Sequence, residues 1–306
     1  GASQSCRSRV VRCQRAPAPD RPGFVPAPRV SAVRNLLFAT ATALLLGACA
    51  TAPLHIDTRH ESAIQASRVQ FLILHYTVAD FEDSLDILTG TKRGVSVHYL
   101  VREDPVQVYR LVDESRLARH AGESYWNGMT TLNASSIGIE IVNPGYVDTP
   151  EGRVYAPYPQ AQIDTVIQLS KDIVARHGIA PGHVLGHADI APGRKQDPGP
   201  MFPWKQLADA GLVPWLDADQ VAARLAHYQT QPLPDAAWFQ QRLATVGYRM
   251  PQTGEWDQTT HNVLSTFQMK YRPANIDGKP DTETAAYLDV ASTPGGLRML
   301  APTQAR

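Results

Sequence analysis

Two histidines and one aspartate in this sequence have the residue types expected of ligands to a catalytic zinc ion. His75 ends the apolar run 69–74, His187 follows the short apolar stretch 183–186, and Asp197 stands directly before a proline. A single histidine at the end of a core strand is more often a hydrogen-bonded structural residue than a ligand. Two imidazoles and one carboxylate, however, match the three-ligand zinc site that keeps a fourth position open for chemistry. Calcium and magnesium favour oxygen ligands, and a structural zinc site would need a fourth protein ligand.

Two charged residues near these ligands are candidates for the chemistry itself. Glu140 lies inside the apolar run 135–143, where a buried carboxylate without a partner costs several kcal/mol. We therefore expect Glu140 to face a cleft or a cation, and the alternative is an edge-strand glutamate in water. Lys195 lies two residues before Asp197, on the same side if the backbone is extended, as the following proline favours. These residues by themselves indicate hydrolysis of an amide with the help of zinc.

The elements that must position these residues alternate between strands and helices, which predicts an α/β fold with a mixed central β-sheet flanked by helices. In the run 135–143, the isoleucines at 137, 139 and 141 share one face and Glu140 lies on the other. The glycines and prolines after His187 predict a rigid loop without helix or strand. Strands are expected at 69–75, 95–101, 106–111, 135–143 and 183–186, and helices near 80–89 and at 160–177.

A second, smaller unit follows the first folded domain, which we place at residues 55–228. Residues 229–292 predict a small all-α domain of three helices, preceded by a proline-containing linker and followed by a tail at 293–306. The segments 254–260 and 278–284 form a short internal repeat with Gly, Asp and Thr at the same offsets. Its aspartates, Asp257 and Asp281, are candidate helix N-caps.

The N-terminal 48 residues have the pattern of a basic leader with a lipoprotein signal peptide. Residues 1–34 carry seven arginines and one acid, and residues 36–47 form an apolar stretch of signal-peptide length. The tetrad 46–49 (Leu-Gly-Ala-Cys) resembles a bacterial lipobox, which implies a diacylglycerol on Cys49 and a tether at 49–54. The alternative is a plain secretory signal with an incidental cysteine. With Ala50 after the cysteine, we expect an outer-membrane lipoprotein that faces the periplasm.

The remaining chain is acidic, with 22 basic residues against 28 acidic ones from Cys49 onward. The arginine-rich leader precedes the signal, so we expect no nucleic-acid partner. The three cysteines lie at positions 6, 13 and 49, so no disulfide is expected in the folded body. The sequence leaves the oligomeric state open.

Both folded units resemble known families. The segment 69–200 is similar to zinc-dependent N-acetylmuramoyl-L-alanine amidases of the AmpD/AmiD type, whose fold is that of peptidoglycan recognition proteins and T7 lysozyme. The unit 229–292 resembles a three-helix peptidoglycan-binding domain. The motifs that carry the first resemblance occur in family order at 73–77, 95–101, 120–126, 136–140 and 186–199.

The amidase resemblance implies a role for each candidate residue. His75, His187 and Asp197 are then the zinc ligands, Glu140 the catalytic acid/base, and Lys195 the stabiliser of the transition-state charge. The bond cut is the lactyl amide between N-acetylmuramic acid and L-alanine, in cell-wall turnover and recycling. We expect the residues that contact peptidoglycan or muropeptides in the groove to be among Tyr76, Thr77, His98, His120 and Trp126. The alternative for the histidines and the tryptophan is a structural role, packed or hydrogen-bonded within the scaffold.

Two other functions remain open from the sequence. A relative with this fold that only binds peptidoglycan would have lost a ligand or the acid, and this chain has all four residues. A zinc peptidase that cuts the stem peptide would use the same metal chemistry, and only the resemblance separates it from an amidase.

The lipobox generates a direct prediction. Cys49→Ser removes the sulfur that would carry the lipid, so we expect the variant to move from the membrane fraction to the soluble periplasm. Fractionation of cells that express the two forms measures this, and unchanged membrane partitioning would contradict the lipobox assignment.

Overall fold

A five-stranded mixed sheet is the centre of the part of the chain that the computed structural model describes, residues 54–301. The proposed lipid site Cys49 and the leader lie outside these described residues. In chain order the strands are β1 (Phe71–Tyr76), β2 (Tyr99–Glu103), β3 (Val106–Arg110), β4 (Tyr125–Trp126), β5 (Met129–Thr130), β6 (Ser136–Ile141), β7 (Tyr146–Thr149), β8 (Gly152–Tyr155), β9 (Val184–Gly186), β10 (Trp215–Leu216) and β11 (Leu297–Arg298).

The helices flank this sheet and also form the C-terminal unit. They are α1 (Phe81–Thr89), α2 (Gln160–His177), α3 (His187–Ile190), α4 (Trp204–Asp209), α5 (Ala218–Tyr228), α6 (Ala236–Val246), α7 (Gln258–Tyr271) and α8 (Thr282–Ser292). Residues 54–63 belong to a separate unit and contain neither helix nor strand. Between residues 54 and 301, the structure has no helix whose length and apolar character would let it cross a membrane.

The strand order of the large sheet is β3-β2-β6-β1-β9. Strands β2, β6, β1 and β9 run parallel, and β3 is antiparallel at the edge. The predicted mixed sheet with flanking helices is confirmed. Because parallel strands end at the same edge of a sheet, the residues at their carboxyl ends come together there. In the β1–β6 register, His75 lies directly beside Glu140.

The alternation along the central strands divides the sheet into two faces. Ile137, Ile139 and Ile141 are fully buried on the face that α2 covers. Helix α2 has the predicted bounds and ends where Gly178 takes a left-handed conformation, with φ +65°. On the other face Phe71 and Ile73 belong to a core that continues into the C-terminal helices. Gly138 and Glu140 lie on this second face, which leaves room for a site.

Two local predictions were wrong. Strand β2 begins at Tyr99, four residues later than expected, because the backbone of Ser96 pairs with Arg119 and that of His98 with residues 111–112. It also continues to Glu103, two residues beyond the predicted end at residue 101, because Glu103 pairs with Val106 across the hairpin. The segment after His187, which was expected to be a loop without helix or strand, instead begins within the single helical turn α3.

The C-terminal unit contains the three predicted helices, α6, α7 and α8. The side chains of Asp257 and Asp281 accept hydrogen bonds from the backbone N–H three residues later, which confirms both as N-caps. Each copy of the internal repeat is held by a fully buried glutamine. Gln240 bonds the first copy through Gly254 N–H and Thr260 Oγ1, and the corresponding partners of Gln268 in the second copy are Gly278 N–H and Thr284 Oγ1.

The two units predicted from the sequence, residues 55–228 and 229–292, pack against each other. Helix α5 packs on α8, and the Tyr228 hydroxyl donates to Asp289 Oδ2 at 3.1 Å. Strand β11, within the segment assigned as a tail, pairs with β10. From Ile64 onward the chain forms one compact unit, and the domain boundaries drawn from the sequence stay predictions.

A half-buried carboxylate, that of Glu114, anchors the C-terminal end of α2. Glu114 Oε1 lies 2.5 Å from Arg176 Nη2 and accepts from the Tyr99 hydroxyl at 2.6 Å, while Oε2 lies 2.8 Å from His177 Nε2. Burial alone would raise the pKa of Glu114, but its hydrogen bonds, that of Arg176 first, outweigh burial and lower the pKa to about 2.

This shift predicts a pH-dependent contribution to stability. A lowered carboxylate pKa stabilises the fold above the unfolded pKa of about 4.5, and the contribution is lost as pH falls toward 2. We expect Glu114→Gln to lower the free energy of unfolding at pH 7 by about 2 kcal/mol, with a smaller difference near pH 2. Urea unfolding at both pH values measures this. The exposed Glu151→Gln is the control, and an equal effect of both variants would contradict the prediction.

Candidate metal centre

Three side chains meet at the carboxyl edge of the parallel strands. His75 lies near the end of β1, His187 directly follows β9, and Asp197 lies on the loop beyond α3. Their atoms form a triangle: His75 Nδ1 and His187 Nδ1 are 2.9 Å apart, and each is 3.0 Å from Asp197 Oδ2. The backbone ties the last two together, because Ala188 N–H donates to the Asp197 carbonyl at 2.8 Å. The structure thus brings together the three residues that the sequence selected.

The triangle fits a zinc ion by its size and by its donor set. Zinc with bonds of about 2.0–2.1 Å in tetrahedral geometry holds its ligand atoms about 3.3 Å apart. The separations of 2.9 and 3.0 Å are slightly shorter than that. Two nitrogen atoms and one carboxylate oxygen converge with all three side chains at least 90% buried. A cation would separate these groups modestly and satisfy them together.

The charges of the three groups suit a cation as well. Burial and the neighbouring His187 lower the pKa of His75 to about 4, so its ring is neutral at pH 7. Burial would raise the pKa of Asp197, but the two imidazoles outweigh burial and hold that pKa well below its usual range. Neutral imidazoles and an ionised carboxylate are the protonation states in which these side chains bind a metal.

Each histidine is also held by its second ring nitrogen. His75 Nε2 lies 3.0 Å from His120 Nδ1, and His120 Nε2 lies 3.2 Å from Ser136 Oγ. His187 Nε2 donates to the Ala121 carbonyl at 3.1 Å, which leaves its Nδ1 with the lone pair. Such outer partners fix the orientation and tautomer of metal-binding histidines. The sequence predicted that His120 lines the groove. In the structure His120 lines the cavity and also supports His75.

Glu140 and Lys195 both line the cavity that opens onto this triangle. The cavity has a volume of about 220 Å³. Glu140 Oε2 is sealed from solvent and has no hydrogen-bond partner. Burial, and then the charge of Asp197, raise the pKa of Glu140 well above its usual range. Lys195 is exposed at the cavity rim. The two residues therefore present a carboxyl group and an ammonium group to one space.

The predicted groove residues divide into two groups. Tyr76, Thr77 and His120 line the cavity, whereas the structure places His98 and Trp126 elsewhere. His98 is fully buried, with Nε2 3.1 Å from the Arg116 carbonyl and Nδ1 3.1 Å from Gly138 N–H. It supports strand β6 and has no surface to offer a ligand. Trp126 is 7% exposed and packs edge-on against Tyr248 of the C-terminal unit.

The cavity also contains residues that the sequence did not identify. Arg119 and Ser96 add polar groups, and the apolar wall consists of Val78, Val95 and residues of α1. Val78 has a left-handed backbone, with φ +53°, a strained conformation for a β-branched residue. Apart from the residues of α1, these residues lie on loops without a periodic pattern, so the sequence carries no local signal for their convergence.

Two family models match the chain. A model described as N-acetylmuramoyl-L-alanine amidase matches residues 65–200, and a model of a peptidoglycan binding domain matches residues 233–288. The chain is 41% identical over 268 residues to the N-acetylmuramoyl-L-alanine amidase AmiD of Escherichia coli K12. That alignment covers 83% of this chain and 96% of the relative.

Two solved structures share this architecture along most of the chain. One is E. coli AmiD in complex with the substrate anhydro-N-acetylmuramic acid-L-Ala-D-gamma-Glu-L-Lys, with TM-score 0.70 and 41% identity, covering 78% of this chain and 93% of that one. The other is AmpDh3 of Pseudomonas aeruginosa in complex with anhydromuramic pentapeptide. It has TM-score 0.70 and 38% identity, covering 77% of this chain and 96% of that one.

The close approach of β6 to His120 provides a test of the outer support. A Cβ at Gly138 would lie 2.7 Å from Cγ and Nδ1 of His120, so Gly138→Ala must displace the ring that holds His75. We expect a loss of about 1–3 kcal/mol in the free energy of unfolding and weaker zinc binding in competition with a chelator. The control is Gly182→Ala, whose Cβ would meet nothing within 4 Å. Equal zinc affinity in both variants would contradict the role of His120.

Proposed function

The chain belongs to the N-acetylmuramoyl-L-alanine amidases, and we propose that it acts through a zinc ion held by His75, His187 and Asp197. The amidase cleaves the amide bond between N-acetylmuramic acid and L-alanine in cell-wall recycling. The observation that carries the zinc proposal is the buried triangle of two imidazole nitrogens and one carboxylate oxygen, beside a carboxyl group in the same cavity.

Each of these residues has a distinct task. When bound, zinc lowers the pKa of water toward about 7 and polarises the scissile carbonyl. Glu140 removes the proton from the attacking water and delivers it to the leaving nitrogen of L-alanine. The Oε2 of Glu140 has no hydrogen-bond partner and is free to make this exchange, and the raised pKa helps the carboxyl group hold the proton between the two steps.

Lys195 supplies positive charge where negative charge develops. Its side chain lines the cavity with Glu140 and Asp197, so it can stabilise the oxyanion formed when water adds to the carbonyl. A single oxyanion donor of this kind contributes about 3 kcal/mol to the transition state.

The substrate class follows from the two relatives with bound ligands. Both solved structures contain anhydromuramyl peptides, and both relatives align along more than three quarters of this chain. We therefore propose that 1,6-anhydro muropeptides are substrates of this enzyme. The match at 233–288 supports peptidoglycan as a second partner, bound through the C-terminal helices.

The cellular location is proposed from the sequence of the leader. A lipid on Cys49 would hold the enzyme at the periplasmic face of the outer membrane, where cell-wall fragments are released. Tethering the enzyme and the polymer to one compartment raises their effective concentration.

Mass spectrometry of the cleavage products tests the reaction and its machinery together. The chain without its first 49 residues is incubated with anhydro-N-acetylmuramic acid-L-Ala-D-gamma-Glu-L-Lys, with and without a chelator. We expect free anhydro-sugar and intact tripeptide, with the activity lost in chelator and restored by zinc. Glu140→Ala is expected to lower the rate by about 10²–10⁴-fold, and Lys195→Ala by about 10²–10³-fold.

A matched control exists on the neighbouring strand. Glu103 ends strand β2 and, like Glu140, has a sealed Oε2 without a hydrogen-bond partner, but it does not line the cavity. Glu103→Ala should keep full activity. Shortened peptides would show a peptidase instead, and turnover that survives complete zinc removal would overturn the metal proposal.

A further inference from the structure

A buried carboxylate lies two residues after the proposed ligand His187, and its role is not explained by the chemistry above. Asp189, on the helical turn α3, is 3% exposed. Its Oδ2 accepts a hydrogen bond from the backbone N–H of Gly186 at 2.9 Å. Gly186 is the residue directly before His187. Asp189 therefore closes the helical turn that carries the proposed ligand His187.

Two further groups that hold Asp189 come from the C-terminal unit. Lys270 Nζ of α7 lies 3.0 Å from Asp189 Oδ2, and the Tyr248 hydroxyl donates to Oδ1 at 3.0 Å. Lys270 is itself only 8% exposed, and its ammonium group lies 4.2 Å from the centre of the Trp204 ring. A buried ion pair adds little net stability, but losing one partner is costly because a buried charge then stands alone. The pair of Lys270 and Asp189 therefore holds helix α7 firmly against the turn α3.

Other close contacts join the C-terminal unit to the rest of the chain. Asn127 N–H donates to the Gly247 carbonyl at 2.8 Å, and a Cβ at Gly247 would lie 2.9 Å from the Trp126 ring. A Cβ at Gly193, on the loop between His187 and Asp197, would lie 2.4 Å from the Asn262 amide of α7. The C-terminal helices thus contact this loop at more than one point.

We propose that Lys270 and Tyr248 are positioning residues for the metal centre. They hold Asp189, and Asp189 holds the turn that aims His187 at the other ligands. The C-terminal unit then sets metal affinity in addition to any contact with the polymer. This inference rests on the proposed zinc site.

The chain provides a matched control of the same chemistry away from the site. Asp289 is 4% exposed, accepts from the Tyr228 hydroxyl at 3.1 Å and pairs with Arg224 at 3.1 Å. This cluster joins α5 to α8 and does not touch the ligand loop. Tyr248→Phe and Tyr228→Phe therefore each remove one hydroxyl from a buried aspartate, and only the first touches the turn that carries His187.

The test measures the zinc dissociation constant of the chain by competition with a chromogenic chelator, alongside urea unfolding of the zinc-free form. We expect weakening of about tenfold for Lys270→Met, the lower end of the effect of outer-shell changes, and about threefold for Tyr248→Phe. Tyr228→Phe should lose comparable stability and keep its zinc affinity within about twofold. A merely structural role for Tyr248 would lower the stability of both tyrosine variants and leave both affinities unchanged.

The outcomes separate this inference from the proposed function. If the parent chain binds no zinc, the metal proposal itself fails. If the parent binds zinc and Tyr248→Phe binds it as tightly as Tyr228→Phe does, the positioning role is overturned. Should Lys270→Met not fold, the pair of tyrosine variants decides, since each keeps its ring and all of its apolar contacts.

Discussion

The structure depends on holding the three candidate metal ligands, His75, His187 and Asp197, within 3.0 Å of one another in a buried place. Burial lowers the pKa of His75 and keeps that ring neutral at pH 7, and the neighbouring imidazoles hold the pKa of Asp197 low enough to keep the carboxylate ionised. Each imidazole must also be fixed by its other nitrogen, which is why His120 and the Ala121 carbonyl lie where they do. A metal centre of this kind is built from its outer contacts as much as from its ligands.

The sheet meets this demand by dividing its two faces. One face carries the isoleucines of β6 against α2, so the strands are anchored by apolar burial. On the other face Gly138 leaves the space that the His120 ring fills, and Glu140 follows two residues later beside His75. The candidate acid Glu140 and the candidate ligand His75 therefore take their relative positions from strand register, which is strongly specified where one face of a sheet is buried.

The C-terminal helices combine two properties. Their internal repeat is stabilised by contacts within the unit, because each of two buried glutamines bonds to one loop and to the helix start that follows it. Yet their apolar side chains share a core with β1 and with the loops around the site, and Lys270 reaches Asp189 from 81 residues away. A unit that resembles a polymer-binding module is thus also part of the support for the catalytic loop.

The sequence by itself selected the three candidate ligands and the candidate acid, and it predicted the strands of the large sheet, the helices α1 and α2, and the N-caps at Asp257 and Asp281. These features are local: periodicity, caps and strand ends are visible within a few residues. Only the tertiary structure decided that His120 supports His75, that His98 and Trp126 lie away from the cavity, and that Asp189 is held by the C-terminal unit. Those outcomes depend on which apolar faces pack together, and packing joins residues whose separation along the chain carries no periodic signal.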